Sequence, residues 1–174
     1  DNVLTDDAAG REYIPEWPNV SPRRQVLVWL DEGGDHPFGA LMVVVTEKGL
    51  VAVAEFLERL RAHSAAHGEI HTKFGLRQFP DKVFVANKNA LNLRLEWGLL
   101  GTGIVPAENK HEIGIQRTVS WLLSRQFKFA YTCPRAIQQM GAYRYATNVL
   151  NDGQKKDKEG VFKLKDEFPD CVRY

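Results

Sequence analysis

Short runs of apolar residues separated by turn signals occupy the first third of the chain and predict strands. Three such runs precede residue 59, and the dipeptide Lys48-Gly49 provides a tight turn between the second and the third run. We therefore expect an antiparallel meander of three strands, over residues 25–31, 39–46 and 50–57.

The pattern becomes helical from Glu58 and continues to a break near Gly75. His63, His67 and His71 lie four residues apart on one face of this predicted helix. Histidines at this spacing can bind one metal ion, but no acidic residue accompanies them at the spacing of a zinc peptidase motif. We interpret them as a solvent-facing histidine stripe.

The rest of the chain alternates short apolar runs with amphipathic stretches. Strands are expected over residues 83–86, 103–106 and 127–131, the last with the alternation of an edge strand. Helices are expected over residues 89–100, 112–125 and 134–146, and a last helix begins at Asp166 or Glu167. The predicted fold class is α/β, with a mixed sheet that joins the antiparallel meander to parallel strands and is flanked by helices.

Two of these helices carry finer predictions. Asn89 and Asn92 are expected to cap the start of the helix over residues 89–100. The helix over residues 112–125 is amphipathic and is expected to bury one apolar face. That face consists of Ile113, Ile115, Val119, Leu122 and Leu123.

Length and composition predict a single domain. At 174 residues, with 44% apolar and 26% charged residues, the chain can bury a sizeable core. We expect a proline-rich lead-in over residues 1–24 and one domain over residues 25–174. The sequence begins without Met and its last predicted helix stops soon after it begins, so we interpret the chain as a piece of a larger protein with a truncated C-terminal helix.

Two further features limit the class of protein. No apolar run approaches the ~20 residues that span a bilayer, which predicts a soluble intracellular protein without a membrane partner. Cys133 and Cys171 have no metal-type spacing. Both are expected to be reduced thiols in the core.

Charge is spread unevenly along the chain. Residues 1–108 carry 11 Lys and Arg against 15 Asp and Glu, whereas residues 109–165 carry 11 against 4. This asymmetry suits a polyanion held on a basic surface beside an acidic site, although a solvated lysine-rich surface gives the same pattern. A mobile loop or small hairpin over residues 148–165 is expected to contact a phosphate backbone through Lys155, Lys156 and Lys158. The alternative set of residues that could contact such a backbone consists of Arg117, Arg125 and Lys128.

Acidic and polar side chains follow the ends of predicted strands. Asp31 ends the first strand and Asp35 lies in the Gly-rich turn after it, although a plain hairpin with acidic turn residues also accounts for both. Asn87 shares this edge of the sheet if its strand is a neighbour of the first. Asp170 lies on the first turn of the last helix, and Lys110 precedes a helix N-terminus, which favours phosphate.

Carboxylates that converge in this way repel one another unless a cation neutralises them, and Mg²⁺ or Mn²⁺ prefers such hard oxygen ligands. Two bridged ions can activate water and stabilise the departing oxygen of a phosphodiester. No Ser-His-Asp, Cys-His or G-x-x-x-x-G-K-[ST] pattern competes in this sequence.

The order of these features resembles one protein family. A strand ending in Asp31, a Gly-rich turn, Asn87 before a helix, Asn109-Lys110 before a helix and the terminal Glu-Phe-Pro-Asp-Cys-Val-Arg-Tyr are similar to the C-terminal nuclease domain of tailed-phage large terminases. These are DNA-packaging motor proteins, and the nuclease has an RNase H-like fold. The resemblance runs from about Tyr13 and is most specific in the opening strand and turn and at the C-terminal end.

The resemblance implies roles for particular residues. Asp31 would be the central metal ligand, Asp35 the accessory acid of the turn, Asp170 the late carboxylate and Lys110 a basic residue near the scissile phosphate. It further implies a two-ion Mg²⁺ or Mn²⁺ site and an endonuclease that cleaves double-stranded viral DNA in the host cytoplasm during packaging. The implied partners are an upstream ATPase domain of the same polypeptide and the portal and small terminase proteins.

Asn87 departs from the family pattern, because the family places an Asp there and an amide gives a metal pair a neutral oxygen. Three explanations remain open. The domain binds its second metal weakly, the position was changed to silence cutting, or Asp35 supplies the carboxylate that is missing at residue 87. Two other functions also remain. One is another RNase H-like nuclease, such as a resolvase or exonuclease, and the other is a catalytically silent module for DNA binding or motor docking.

Overall fold

The computed structural model describes residues 3–4, 20–33, 36–59, 62–107, 111–142 and 167–173. These residues form a mixed sheet of seven strands, in the order β1-β7-β4-β3-β2-β5-β6. The strands are β1 (Val3–Leu4), β2 (Val26–Asp31), β3 (Phe38–Thr46), β4 (Gly49–Glu58), β5 (Lys82–Asn87), β6 (Ile104–Ala107) and β7 (Phe127–Ala130).

The centre of the sheet is the predicted antiparallel meander, which is confirmed. β2 pairs antiparallel with β3, and β3 pairs antiparallel with β4. β5 lies parallel to β2 with Leu30 opposite Ala86, so Asp31 and Asn87 each follow the last residue of that pairing. The two strands are therefore neighbours, and their polar ends lie at the same edge of the sheet.

Five helices in the described part of the chain cover both faces of this sheet. They are α1 (His63–Lys73), α2 (Leu91–Leu99), α3 (His111–Leu123), α4 (Pro134–Ala142) and α5 (Glu167–Arg173), with a 3₁₀ turn at Leu76–Gln78. Side chains alternate across a strand, so β3 sends Met42 to a core shared with α1 and α2 and Leu41 to a core shared with α4 and α5. α3 adds Trp121 and Leu122 to the second core. The predicted α/β class is confirmed.

The prediction that the strand at Phe127 lies at an edge is wrong. β7 lies between β4 and β1, because Val3 pairs in parallel with Phe129. β1 falls inside the segment predicted as a lead-in. Two residues are too few to give a periodic signal, so the sequence pattern did not indicate this strand.

The helix predicted from Glu58 begins later, because Glu58 still belongs to β4 and α1 starts at His63. The histidine stripe is half-buried rather than solvent-facing. The ring of His67 meets Trp97 edge-on at 5.0 Å, and the ring of His71 stacks on Phe84 at 5.4 Å. The four-residue spacing predicted one shared face, and that face packs against aromatic side chains of the sheet and of α2.

The predicted caps and the predicted apolar face are also corrected. Ala90 precedes α2 and no side-chain cap bond is made there, so neither Asn89 nor Asn92 has the expected role. On α3, the side chains of Val119 and Leu123 are 46% and 80% exposed. Ile115 of the predicted face is buried and Leu122 packs against the second core, as predicted, but Gly114 and Thr118 are buried as well. This face turns inward because α5 packs against it.

Cys133 and Cys171 are free and buried, as predicted. None of the helices that the structure describes has the length and apolar character needed to cross a bilayer. The end of the helix predicted over residues 134–146 and the lysine-rich stretch 148–165 lie outside the described residues.

Candidate active site

Asp31 lies at the end of a buried strand. β2 is flanked by β3 and β5, and Asp31 pairs with Gly39 of β3. Its side chain is 11% exposed, and its Oδ2 lies 3.9 Å from Nδ1 of His36, so the two form an ion pair when the ring is protonated. The strand therefore fixes the backbone of Asp31 while the carboxylate keeps a small opening to solvent.

Helix α5 packs against the ends of β2 and β3. The Cys171 thiol lies 3.6 Å from the carbonyl oxygen of Trp29 and 3.9 Å from that of Gly39. Burial raises the pKa of this thiol, and the negative charges of Asp31, Asp170 and Glu167 raise it further. Because Asp31 pairs with Gly39 and Cys171 contacts the carbonyl oxygen of the same glycine, the start of α5 and the end of β2 lie at one edge of the sheet.

Asp170 is held by an arginine one helical turn later. Nε and Nη2 of Arg173 donate to Oδ1 of Asp170 at 3.2 and 3.1 Å. The Arg173 side chain is 6% exposed and the Asp170 side chain 15% exposed. A charged pair with so little contact with water is a stronger constraint on geometry than a surface ion pair.

A second buried acid begins the same helix. Glu167 is 4% exposed, and its Oε2 accepts a hydrogen bond from Nε2 of Gln139 at 2.8 Å. Oε1 of Gln139 in turn accepts from the backbone N–H of Phe168 at 3.0 Å. These two bonds tie the first turn of α5 to α4, beside Gly39 on β3.

Asn87 makes a local turn at the end of β5. Its Oδ1 accepts a hydrogen bond from the backbone N–H of Asn89 at 2.9 Å, and its carbonyl oxygen accepts from the N–H of Ala90 at 2.9 Å. The side chain thus shapes the turn between the strand and α2, a role that an Asp carboxylate would also fill.

The other predicted residues divide into two groups. Arg117 and Arg125 are exposed, and Lys128 lies half-buried on β7. The remaining predicted residues fall outside the described ranges: Asp35, Lys110, Lys155, Lys156 and Lys158. Within those ranges, no three His, Cys, Asp or Glu side chains are grouped so that they could hold a metal ion.

The described donor set fits a hard divalent cation in part. Asp31 and Asp170 offer carboxylate oxygens at one edge of the sheet, whereas Asn87 offers only a neutral oxygen at the end of the neighbouring strand. Two carboxylates and an amide can bind one such ion. A second ion would need a further carboxylate.

The predicted site did not include Arg173, Glu167 or Gln139. A signal was present, because Glu167, Asp170 and Arg173 follow one another at intervals of three in a short helix whose other residues are mainly apolar. Polar residues on a helix this apolar need partners when the helix is buried. No sequence signal identifies Gln139, which lies in a different helix 28 residues away.

Comparisons with known proteins agree with this geometry at the level of the fold. No family model matches the chain. A search of curated proteins likewise gives no match. Solved structures do match: the large terminase of the thermophilic bacteriophage D6E in complex with ADP has a TM-score of 0.75 and 14% identity, over 92% of this chain and 40% of that one.

Two isolated domains match over most of both chains. The large terminase nuclease domain of bacteriophage SPP1 with bound Mn has a TM-score of 0.67 and 11% identity, covering 99% of this chain and 94% of that one. The P22 large terminase nuclease domain has a TM-score of 0.66 and 15% identity, with 87% and 79% covered. The chain thus spans about two fifths of the D6E protein and most of each nuclease domain. It has the RNase H-like fold of large terminase nuclease domains.

Proposed function

We propose that this chain is a metal-dependent endonuclease that cleaves double-stranded viral DNA during genome packaging. The observation that carries the proposal is the position of Asp31 and Asp170 at one edge of the sheet: Asp31 pairs with Gly39, whose carbonyl oxygen lies 3.9 Å from the thiol of Cys171, the residue after Asp170. Their burial supports the proposal, since buried carboxylates that are brought together favour a cation. The fold supports it further, because the similar SPP1 domain was solved with bound Mn.

In this proposal each residue of the site has its own role. Asp31 and Asp170 hold the ion, and Asp35 is the accessory acid in the turn after β2. Lys110 stands before α3 and meets the scissile phosphate. A bound Mg²⁺ or Mn²⁺ pair would supply an activated water and stabilise the leaving oxygen. β2 and α5 keep the two carboxylates in place before any ligand arrives.

The proposal is tested by plasmid cleavage in Mn²⁺ and in Mg²⁺. Asp31→Asn keeps the shape of the side chain and removes its charge, so cleavage should fall by at least about 100-fold. Glu47→Gln is the matched control, because this exposed glutamate lies in the turn between β3 and β4, at the opposite end of the strands. No cleavage by the wild-type protein, or equal cleavage by Asp31→Asn, would contradict the proposal.

DNA binding is assigned to the basic half of the chain. Lys155, Lys156 and Lys158 contact the phosphate backbone, so replacing all three with Ala weakens binding to any sequence alike. The salt slope should flatten by up to roughly 2.7 if each lysine releases about 0.9 counterion. If the salt dependence of binding is unchanged in this variant, the DNA contacts are assigned instead to the alternative basic residues, Arg117, Arg125 and Lys128.

A catalytically silent module is the second candidate, and Asn87 is the observation that favours it. Its amide oxygen already accepts a hydrogen bond from the N–H of Asn89 in the turn before α2. If the position limits metal binding, Asn87→Asp should raise Mn²⁺ affinity and plasmid nicking by about tenfold, since a carboxylate restores charge neutralisation. Equal affinity and equal nicking in titration calorimetry and cleavage assays would leave Asn87 as a turn residue only.

The proposed partners follow from the share of the relatives that the chain covers. The D6E protein has further sequence and was solved with ADP. We infer that an ATPase domain of the same polypeptide precedes residue 1. The portal and small terminase proteins are the other proposed partners, and the host cytoplasm is the proposed site of action.

A further inference from the structure

Helix α5 is almost entirely buried, and its polar side chains lie on one side of it. Six of its seven residues are buried, and Asp170 is the exception. A buried guanidinium is costly unless it is paired, because it loses its hydration. The pair with Asp170 therefore constrains both side chains. The contacts from Nε and Nη2 of Arg173 converge on Oδ1 of Asp170.

The position of Arg173 depends on a glycine in another helix. A Cβ on Gly114 of α3 would lie 2.4 Å from Cγ of Arg173 and 3.0 Å from its carbonyl oxygen. Thr118, one turn later on α3, also approaches α5, with Oγ1 at 3.5 Å from the carbonyl oxygen of Val172. A glycine inside a helix normally destabilises it, so its presence here has a packing reason. It allows Arg173 to lie between the two helices.

We propose that Arg173 is a positioning residue for the metal site: its guanidinium, seated against Gly114, fixes the Asp170 carboxylate for cation binding. The inference rests on the proposed function and extends it, since Arg173 touches a metal ligand rather than the metal or the DNA. Groups that orient metal ligands commonly change metal affinity by about 10-fold to 100-fold when they are removed. If Arg173 only balanced charge, its removal would strengthen Mn²⁺ binding, because the site would lose a positive charge that repels the ion.

The test is Mn²⁺ titration calorimetry on the full chain, with thermal unfolding of each variant beside it. Arg173→Met should weaken Mn²⁺ binding by about 10-fold to 100-fold. Arg173→Lys keeps the charge but lacks the planar guanidinium, so it should weaken Mn²⁺ binding less than Arg173→Met does. Gly114→Ala removes no charged group but displaces Arg173, so it should also weaken Mn²⁺ binding. Gly68→Ala in α1 is the matched control, because nothing lies within 4 Å of the added Cβ.

The outcomes separate this inference from the proposed function. No Mn²⁺ binding by the wild-type protein would overturn both. Binding that Asp31→Asn removes, but that Arg173→Met and Gly114→Ala leave unchanged or strengthen, would overturn the positioning role alone. If Arg173→Met does not fold, Arg173→Lys and Gly114→Ala decide by the same criterion.

Discussion

The two faces of the sheet bury polar side chains in different ways. On the face covered by α1 and α2, Nε2 of His71 is buried without a hydrogen-bond partner among the described residues, and the pKa of His71 falls to about 4, chiefly through burial. On the face covered by α5, Glu167 and Arg173 are buried beside specific partners. The first face buries a ring that stays neutral, whereas the second buries full charges beside partners, and that second face carries the proposed site.

The largest effect is expected on the α5 face. Gln139→Leu leaves the buried carboxylate of Glu167 and the N–H of Phe168 without the bonds that Gln139 makes, so the free energy of unfolding should fall by about 3 kcal/mol. Urea unfolding measures this loss. Gln116→Leu, at an exposed position of α3, is the control and should change stability by less than about 0.5 kcal/mol. Equal effects at the two positions would remove the distinction between the faces.

A smaller effect is expected from the histidine face, and it depends on pH. In the unfolded chain His71 has the ordinary histidine pKa of 6.5, whereas in the folded protein its pKa is about 4. The stability from the neutral ring is therefore fully present above pH 6.5 and is lost as the pH falls from about 6.5 to about 4. The loss should be on the order of 1 kcal/mol, because the ring is partly exposed and solvent screens it.

His71→Phe tests this directly, since it keeps a ring against Phe84 and removes the titrating group. The difference in urea midpoint between pH 7 and pH 5 should shrink in the variant. The control is Gln116→Leu, at an exposed position that does not titrate, compared over the same pH range. The same pH dependence in His71→Phe and wild type would contradict the assignment.

The smallest effect contrasts one substitution on the two faces. Gly68→Ala adds a Cβ with nothing within 4 Å and should stabilise α1 by about 0.5–1 kcal/mol. Gly39→Ala places a Cβ 3.0 Å from Cβ of Glu167, which the bonds to Gln139 hold in place. It should therefore be destabilising. If thermal unfolding showed that Gly39→Ala stabilises the protein as Gly68→Ala does, the contact of Glu167 with β3 would have to be loose.

Sequence pattern predicted the strands well and the helix faces less well. The meander and the strand ending at Asn87 are local patterns of apolar residues, and the structure confirms them. The buried face of α3 was predicted only in part, because it depends on α5, which follows about 50 residues later. Val119 and Leu123 fit an amphipathic helix, but α5 seats Arg173 against Gly114.

The candidate site, like the fold, was predicted from the sequence in part. A carboxylate that ends a buried strand is visible in the sequence, so Asp31 and the edge shared with Asn87 could be inferred. The pairing of Glu167 with Gln139 joins two helices that are separate in the chain. Such contacts are set by tertiary packing, and no spacing rule for a single helix or strand reports them.

A crystal structure of the protein soaked in Mn²⁺ tests most directly whether Asp31 and Asp170 share a metal site. The account predicts an anomalous peak at the ends of β2 and β3, with an oxygen of each carboxylate within about 2.5 Å of the metal. A peak that touches only one of the two carboxylates, or no peak at a Mn²⁺ concentration that supports cleavage, would contradict it.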